Sequence, residues 1–210
     1  FTVDRGSLST RDAVRVKRNS RAAVRIAVAL AEDGVISKED AILRIQPGGL
    51  GELLHHQVDP EAAREVLARG VAASPGAATG RLVFTSEAAQ ACAARGEPCI
   101  LVRRETSPED IRGMHAAVGV LTERGGMTSH AAVIARGLGL PCVVGASGLR
   151  LNRRDKTLTM DDGRVFREGD VITLDGSAGA VLAGEAALLE PALRCRCPGG
   201  KDYRIVRASG

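Results

Sequence analysis

The chain has 210 residues, of which 44% are hydrophobic and 26% are charged, a composition typical of one large globular domain or two small ones. No run of about 18 apolar residues is present, so we expect no membrane span. Residues 1–12 lack the apolar core of a secretory signal peptide, and the first residue is Phe1 rather than Met. We therefore expect a cytoplasmic protein and a chain cut from something longer.

The net charge of +4 is concentrated at the two ends of the chain. Residues 1–25 contain seven Lys or Arg against two Asp, and residues 191–210 contain five against one Asp. Residues 26–190 therefore carry a net charge of −5, whereas a nucleic-acid-binding domain usually concentrates positive charge on its folded face. Aromatic residues are only 2% of the chain, which disfavours a base-stacking surface. We expect no nucleic-acid partner; salt-dependent binding through the basic ends would contradict this.

Five cysteines are scattered along the chain: Cys92, Cys99, Cys142, Cys195 and Cys197. An odd number without a secretion signal indicates reduced thiols rather than a disulfide framework. The C-x-C pair near the C-terminus has no second pair and no histidine nearby, so we interpret it as part of the tail rather than a zinc site. We expect no metal in this chain.

Three helices are predicted in the first third of the chain. Ser20 begins an amphipathic stretch that Gly34 ends, and Ser37 caps a second helix with Asp40 three residues further on. Asp59 and Pro60 have the pattern of a cap and first turn for a third helix that ends at Gly70. Together they predict a small helical subdomain at about residues 20–69.

From residue 71 onward, short apolar runs alternate with helical patterns, and hairpins follow. Strands are predicted at 81–84, 99–103, 118–122 and 141–145. Two helices are predicted with Ser86 and Ser107 as their caps, and a third begins at Ser129. A hairpin turns at Asp161-Asp162-Gly163, and two more strands flank Gly176-Ser177. This order predicts a compact layered α/β domain at roughly 71–187.

Most of the candidate functional residues lie in 121–145, where a predicted buried strand ends in Gly125-Gly126. Thr128 and Ser129 follow, and His130 begins an apolar helix. Glycines allow close approach of the backbone to a ligand, and a helix N-terminus favours an anion. The pattern therefore predicts that a phosphoryl group on His130 would meet backbone donors and the two hydroxyls.

Other interpretations of the same residues remain open. The glycines suit a tight turn as well, and a histidine near a helix start is often a capping or core residue. No P-loop, dinucleotide loop or G-x-S-x-G elbow is present, and adjacent Ser129 and His130 side chains would diverge rather than form a nucleophile–base pair. We interpret His55-His56 as structural and assign His115 no role.

The segment resembles the phosphohistidine signature of the pyruvate phosphate dikinase family, T-x-x-G-G-M-T-S-H-A-A-V-x-A-R. Further stretches also resemble the central region of that enzyme: GVISKEDAILRIQPGGLGELLHHQVDP, SPGAATGRLVFTSEAA, ILVRRETSPEDIRGMHAA and GRVFREGDVITLDGSAGAV. The resemblance covers about residues 20–190. Phosphoenolpyruvate synthase and the first enzyme of the sugar phosphotransferase system have related domains and are the alternative families.

The resemblance implies a swivelling β/β/α phosphohistidine domain at 70–190, a helical connector at 1–69 and a basic tail at 191–210. It implies that an ATP-grasp domain, with ATP and Mg²⁺, loads the histidine and that a barrel domain passes the phosphoryl group to pyruvate to form phosphoenolpyruvate. Neither partner domain lies in this chain, so we expect a central fragment of such an enzyme or an orphan copy of its phosphohistidine domain. Whether the parent protein forms a homodimer stays open. A non-catalytic docking relative is a further alternative.

By the same resemblance, His130 is the catalytic nucleophile and attacks through Nε2. Gly125, Gly126, Thr128 and Ser129 would support the phosphoryl group. Thr128 also occupies the position at which plant members are regulated by phosphorylation, where added negative charge would repel the incoming anion. Nδ1 of His130 needs a hydrogen-bond partner to fix the tautomer, and the sequence does not name it.

Overall fold

The computed structural model describes residues 2–4, 7–9, 20–46, 50–62, 65–191, 194–196 and 202–204. The chain divides into two compact units, Phe1–Gly51 and Glu52–Gly210. No helix among these described residues combines the length and apolar character that a membrane crossing requires.

Among its described residues, the first unit contains two of the three predicted helices and a pair of short strands. Helix α1 spans Ser20–Glu32 and α2 spans Lys38–Leu43, while strands β1 (Thr2–Asp4) and β2 (Ser7–Ser9) pair antiparallel. Ser37 caps α2 as predicted: its Oγ accepts a hydrogen bond from the Asp40 backbone N–H at 3.0 Å and donates to the Asp40 carboxylate at 2.9 Å.

The third predicted helix is wrong, because its second half is a strand. Strand β3 (Gln57–Val58) is followed by a turn in which Asp59 accepts a hydrogen bond from the Glu61 N–H at 3.0 Å, and β4 spans Val66–Ser74. Ala68 of β4 is buried in the core, so sheet pairing outweighs the helical preference of the local sequence. The boundary between the compact units falls at 51/52 rather than at 69/70.

A seven-stranded closed barrel forms the body of the second unit. Besides β4, its strands are β5 (Ala77–Val83), β6 (Cys99–Arg103), β7 (Gly119–Thr122), β8 (Cys142–Ser147), β12 (Val171–Asp175) and β13 (Ala180–Ala183). The order around the barrel is β12-β13-β4-β8-β7-β6-β5. Strands β5 to β8 run parallel to one another, and the remaining pairs are antiparallel.

The remaining strands form small antiparallel sheets. Strands β9 (Leu149–Asn152), β10 (Thr157–Met160) and β11 (Val165–Arg167) form one sheet, with the predicted turn at Asp161-Asp162-Gly163. Strand β14 (Leu188–Leu189) pairs with β3, and β15 (Arg194–Arg196) pairs with β16 (Asp202–Arg204) in the predicted tail.

Helices cover one face of the parallel strands. Helix α3 spans Ser86–Ala94, α4 spans Ile111–Ala116 after a 3₁₀ turn at Pro108–Asp110, and α5 spans His130–Leu138. The cap of α3 is Thr85 rather than the predicted Ser86, because the Thr85 hydroxyl accepts the Ala88 N–H at 3.1 Å.

Side chains along β6 alternate between two hydrophobic cores, since successive residues of a strand face opposite sides. Ile100 and Val102 pack into the barrel interior with residues of the small β9–β11 sheet. Cys99 and Leu101 pack against α3, α4 and α5. Further strands therefore pack on one side of β6 and helices pack on the other. This confirms the predicted α/β fold class with its β/β/α arrangement.

Candidate active site

The candidate site lies where β6 and β7 end. Because the two strands are parallel neighbours, their carboxyl ends meet at one edge, and the loops that follow them, 104–107 and 123–129, lie side by side. The pairing continues beyond the strands: the Glu123 N–H donates to the Arg103 carbonyl at 3.0 Å and the Arg124 N–H donates to the Arg104 carbonyl at 2.9 Å. The edge therefore presents both loops as one surface.

Close backbone contacts fix the start of the second loop. The fully buried Thr122 hydroxyl donates to the Arg124 carbonyl at 2.6 Å. Gly125 follows with φ +118°, and Gly145 of β8 (φ +59°) lies so close that a Cβ there would overlap the Gly125 carbonyl oxygen. A positive φ favours glycine at both positions, and the close approach of the two backbones excludes a side chain at Gly145. By contrast, a Cβ on Gly126 would meet nothing within 4 Å.

Helix α5 begins at this loop and directs its N-terminus toward the edge. Ser129 is the N-cap, and its Oγ accepts a hydrogen bond from the Ala132 N–H at 3.4 Å, while the exposed Thr128 precedes it. Arg136, in the last turn of the helix, donates to the Met127 carbonyl at 2.7 Å and ties the loop to the helix. Free N–H groups of the first turn make this end of the helix suited to an anion.

His130 is the first residue of α5 and is partly exposed. Its Nδ1 lies 3.2 Å from the hydroxyl oxygen of Thr106, which belongs to the loop after β6. If Nδ1 carries the proton and donates to Thr106, the Nε2 lone pair is left available as a nucleophile. The arrangement places an imidazole whose Nδ1 contacts a hydroxyl at the positive end of a helix.

Thr106 is the site residue that the sequence analysis did not name. Its contact with His130 spans 24 positions and arises from the parallel pairing of β6 and β7. The predicted strands at 99–103 and 118–122 contained the necessary signal, because loops that follow adjacent parallel strands meet at one edge.

His115 and the buried thiols lie apart from this chemistry. His115 is exposed in the last turn of α4, and across the described residues no hydrogen bond or ion pair joins it to His130. Burial raises the pKa of Cys142 to about 12; burial, with the neighbouring Cys92, raises the pKa of Cys99 to about 11. Both thiols stay protonated at neutral pH and are poor nucleophiles.

A comparison with known families bears on this geometry. Residues 95–179, which contain Thr106, His130 and the strands that position them, match the family described as PEP-utilising enzyme, mobile domain. Over these residues the chain is therefore similar to the mobile domain of PEP-utilising enzymes.

The curated proteins similar to this chain include dikinases. The chain is 53% identical over 193 residues to pyruvate, phosphate dikinase of Rhizobium meliloti (92% of this chain, 21% of that protein). It is 49% identical over 195 residues to the chloroplastic pyruvate, phosphate dikinase 1 of Zea mays (92% and 20%). The predicted resemblance is confirmed, and the chain spans about one fifth of the length of these relatives.

A solved structure also matches over part of the chain. It is the solution structure of an Enzyme I protein, at 29% identity with a TM-score of 0.30, covering 40% of this chain and 30% of that one.

Proposed function

We propose that this domain is the phosphocarrier of a pyruvate phosphate dikinase and that His130 carries the phosphoryl group. The single observation that supports this most directly is the contact of His130 Nδ1 with Thr106 at the N-terminus of α5, which leaves Nε2 for attack. The dikinase relatives at about half identity over 92% of the chain agree with the assignment.

The proposed chemistry uses the imidazole first as nucleophile and then as leaving group. Nε2 attacks the β-phosphorus of ATP held with Mg²⁺ by a nucleotide-binding domain of the parent protein, the bond to the α-phosphate oxygen breaks and AMP leaves. Inorganic phosphate then attacks the outer phosphorus and leaves as pyrophosphate, so that one phosphoryl group remains on Nε2. The enolate oxygen of pyruvate, bound in a barrel domain, then attacks the remaining phosphorus as the P–N bond breaks and the electron pair returns to Nε2. The products are phosphoenolpyruvate and the free histidine.

The groups around His130 would hold the phosphoryl oxygens. The first-turn N–H groups of α5 supply donors and positive charge, and the exposed Thr128 hydroxyl adds one more. The Ser129 hydroxyl accepts the Ala132 N–H, so we assign Ser129 the role of keeping this helix end in place. Gly125 would shape the turn before the helix, and Gly126 would support the phosphoryl group. Regulation by phosphorylation of Thr128 stays a prediction.

Labelling tests the proposal. The chain is mixed with the nucleotide-binding fragment of the Rhizobium meliloti dikinase, inorganic phosphate and ATP labelled at the β-phosphate. We expect an acid-labile, base-stable adduct on this chain, lost in His130→Ala and retained in the matched control His115→Ala. Equal labelling of His130→Ala would refute the assignment of the histidine.

A further inference from the structure

A buried ion pair lies beneath the loop that carries Thr106. Arg103 is the last residue of β6, and its Nε and Nη2 donate to the two carboxylate oxygens of Asp110 at 3.1 and 3.0 Å. The two side chains are only 12% and 3% exposed. A two-point arginine–carboxylate contact of this kind fixes the distance and also the relative orientation of the two groups.

Asp110 joins this pair to the loop itself. Its Oδ2 accepts hydrogen bonds from the backbone N–H and the hydroxyl of Ser107, at 3.0 and 3.2 Å. Its Oδ1 accepts from the hydroxyl of Ser86 on α3 at 3.0 Å, and Arg103 Nη1 donates to the Phe84 carbonyl at 2.9 Å. The carboxylate thereby links the end of β6, the loop after it and the start of α3.

Thr106 lies between the two points that this network holds. The segment from Arg103 to Ser107 is anchored at one end by the guanidinium and at the other by the Ser107 contacts with the same carboxylate. Burial by itself would raise the pKa of Asp110, yet the Ser107 N–H, the Arg103 charge and the Ser86 hydroxyl outweigh it and lower the pKa. The carboxylate therefore remains ionised at neutral pH and keeps accepting these hydrogen bonds.

Stability alone is a poor explanation for this ion pair. Well-packed apolar residues in place of a buried ion pair often stabilise a protein equally well or better. What apolar residues cannot do is orient a short loop to within hydrogen-bonding distance of a particular ring nitrogen.

We propose that Arg103 and Asp110 are positioning residues that hold the Thr106 hydroxyl against Nδ1 of His130, so that the ring keeps its proton on Nδ1 and its lone pair on Nε2. The catalytic use of this tautomer rests on the proposed function, but the positioning of the Thr106 hydroxyl can be tested without any phosphoryl transfer.

The test is the tautomer of His130 in the ¹⁵N-labelled 210-residue chain, read from long-range ¹H–¹⁵N correlations at a pH where the ring is neutral. We expect Nδ1–H as the main form in the wild type and in Thr106→Ser, which keeps the hydroxyl. In Thr106→Val and Asp110→Asn we expect the Nε2–H form to dominate. The matched control Asp162→Asn breaks an exposed arginine–aspartate pair and should leave the spectrum unchanged.

A second readout measures reactivity without a partner domain. Phosphoramidate donates a phosphoryl group to a histidine nitrogen with release of ammonia, and we expect Asp110→Asn to react at least about tenfold more slowly than wild type. A folded Asp110→Asn with the wild-type tautomer and rate overturns the proposal. Should that variant not fold, Ser107→Ala, which keeps the ion pair but loses one loop contact, is expected to raise the Nε2–H fraction; no rise overturns it equally.

The two proposals fail in different ways. A wild-type chain with the Nδ1–H tautomer that never accepts phosphate from the donor fragment contradicts the phosphocarrier function and leaves the positioning intact. A labelled wild type whose tautomer is insensitive to Thr106→Val and Asp110→Asn contradicts the positioning alone.

Discussion

Two regions of the second unit contain the same residue types in opposite surroundings. At the candidate site, Arg103 pairs with Asp110 in the interior, and Gly145 adopts a positive φ against the backbone of the neighbouring loop. In the hairpin between β10 and β11, Arg164 pairs with Asp162 at 2.7 Å on the surface, and Gly163 has φ +85° with open space where a Cβ would lie. The hairpin needs only a turn, whereas the site needs a turn held in one place.

Substitution of the two aspartates should give the largest difference in stability between the two regions. Asp110→Asn leaves Arg103 buried without its counter-charge, so we expect the free energy of unfolding to fall by about 4 kcal/mol. Asp162→Asn removes an exposed partner, and we expect no resolvable change. Urea unfolding, followed by the amide signals of β6 and β7, measures both. Equal effects of the two substitutions would contradict the distinction between the regions.

Substitution of the two glycines should give a smaller difference in the free energy of unfolding. Gly145→Ala adds left-handed strain and an overlap with the Gly125 carbonyl, and we expect a loss of about 3 kcal/mol together with shifted amide signals in the loop at 123–129. Gly163→Ala adds only the strain, at about 1 kcal/mol, without a shift at His130. Chemical unfolding and an amide spectrum of each variant check this. Should Gly145→Ala leave the loop signals in place, the backbone contact does not position the loop.

The smallest effect concerns pH. The pKa of Asp110 is lower in the folded chain than in the unfolded chain, so its stabilising contribution is complete above the unfolded value of about 3.9 and disappears as pH falls through the folded value. The stability difference between wild type and Asp110→Asn should therefore shrink below about pH 4. Unfolding curves at several pH values measure it; a difference that stays constant as Asp110 becomes protonated would show that its charge does not matter.

Local signals predicted much of this architecture. The strand at 99–103, the helix start at His130 and the hairpin turn at Asp161-Asp162-Gly163 each depend on neighbours in sequence, and the structure has them where the patterns indicated. The functional roles of Gly125, Gly126, Thr128, Ser129 and His130 stay predictions. The α/β class followed from the alternation of these elements.

What the sequence analysis missed depends on distant partners. The stretch around Val66 has a helical pattern, but β4 is held between β8 and β13, and the pairing partners lie about 70 to 120 positions further along. Pairwise contacts over such separations leave no periodic trace in a single sequence. Thr106 is a different case: the predicted strands at 99–103 and 118–122 indicated that the loops after them meet, but not the register that brings Thr106 beside His130.

The backbone bonds that extend the β6–β7 pairing past the strand ends bear on transport. A carrier that visits two distant partners must keep its reactive group ready during the journey. Here backbone bonds tie the loop that contains Thr106 to the loop that leads to His130. Under the proposed carrier function, the two loops would move together, and neither partner domain would have to supply the group that contacts Nδ1.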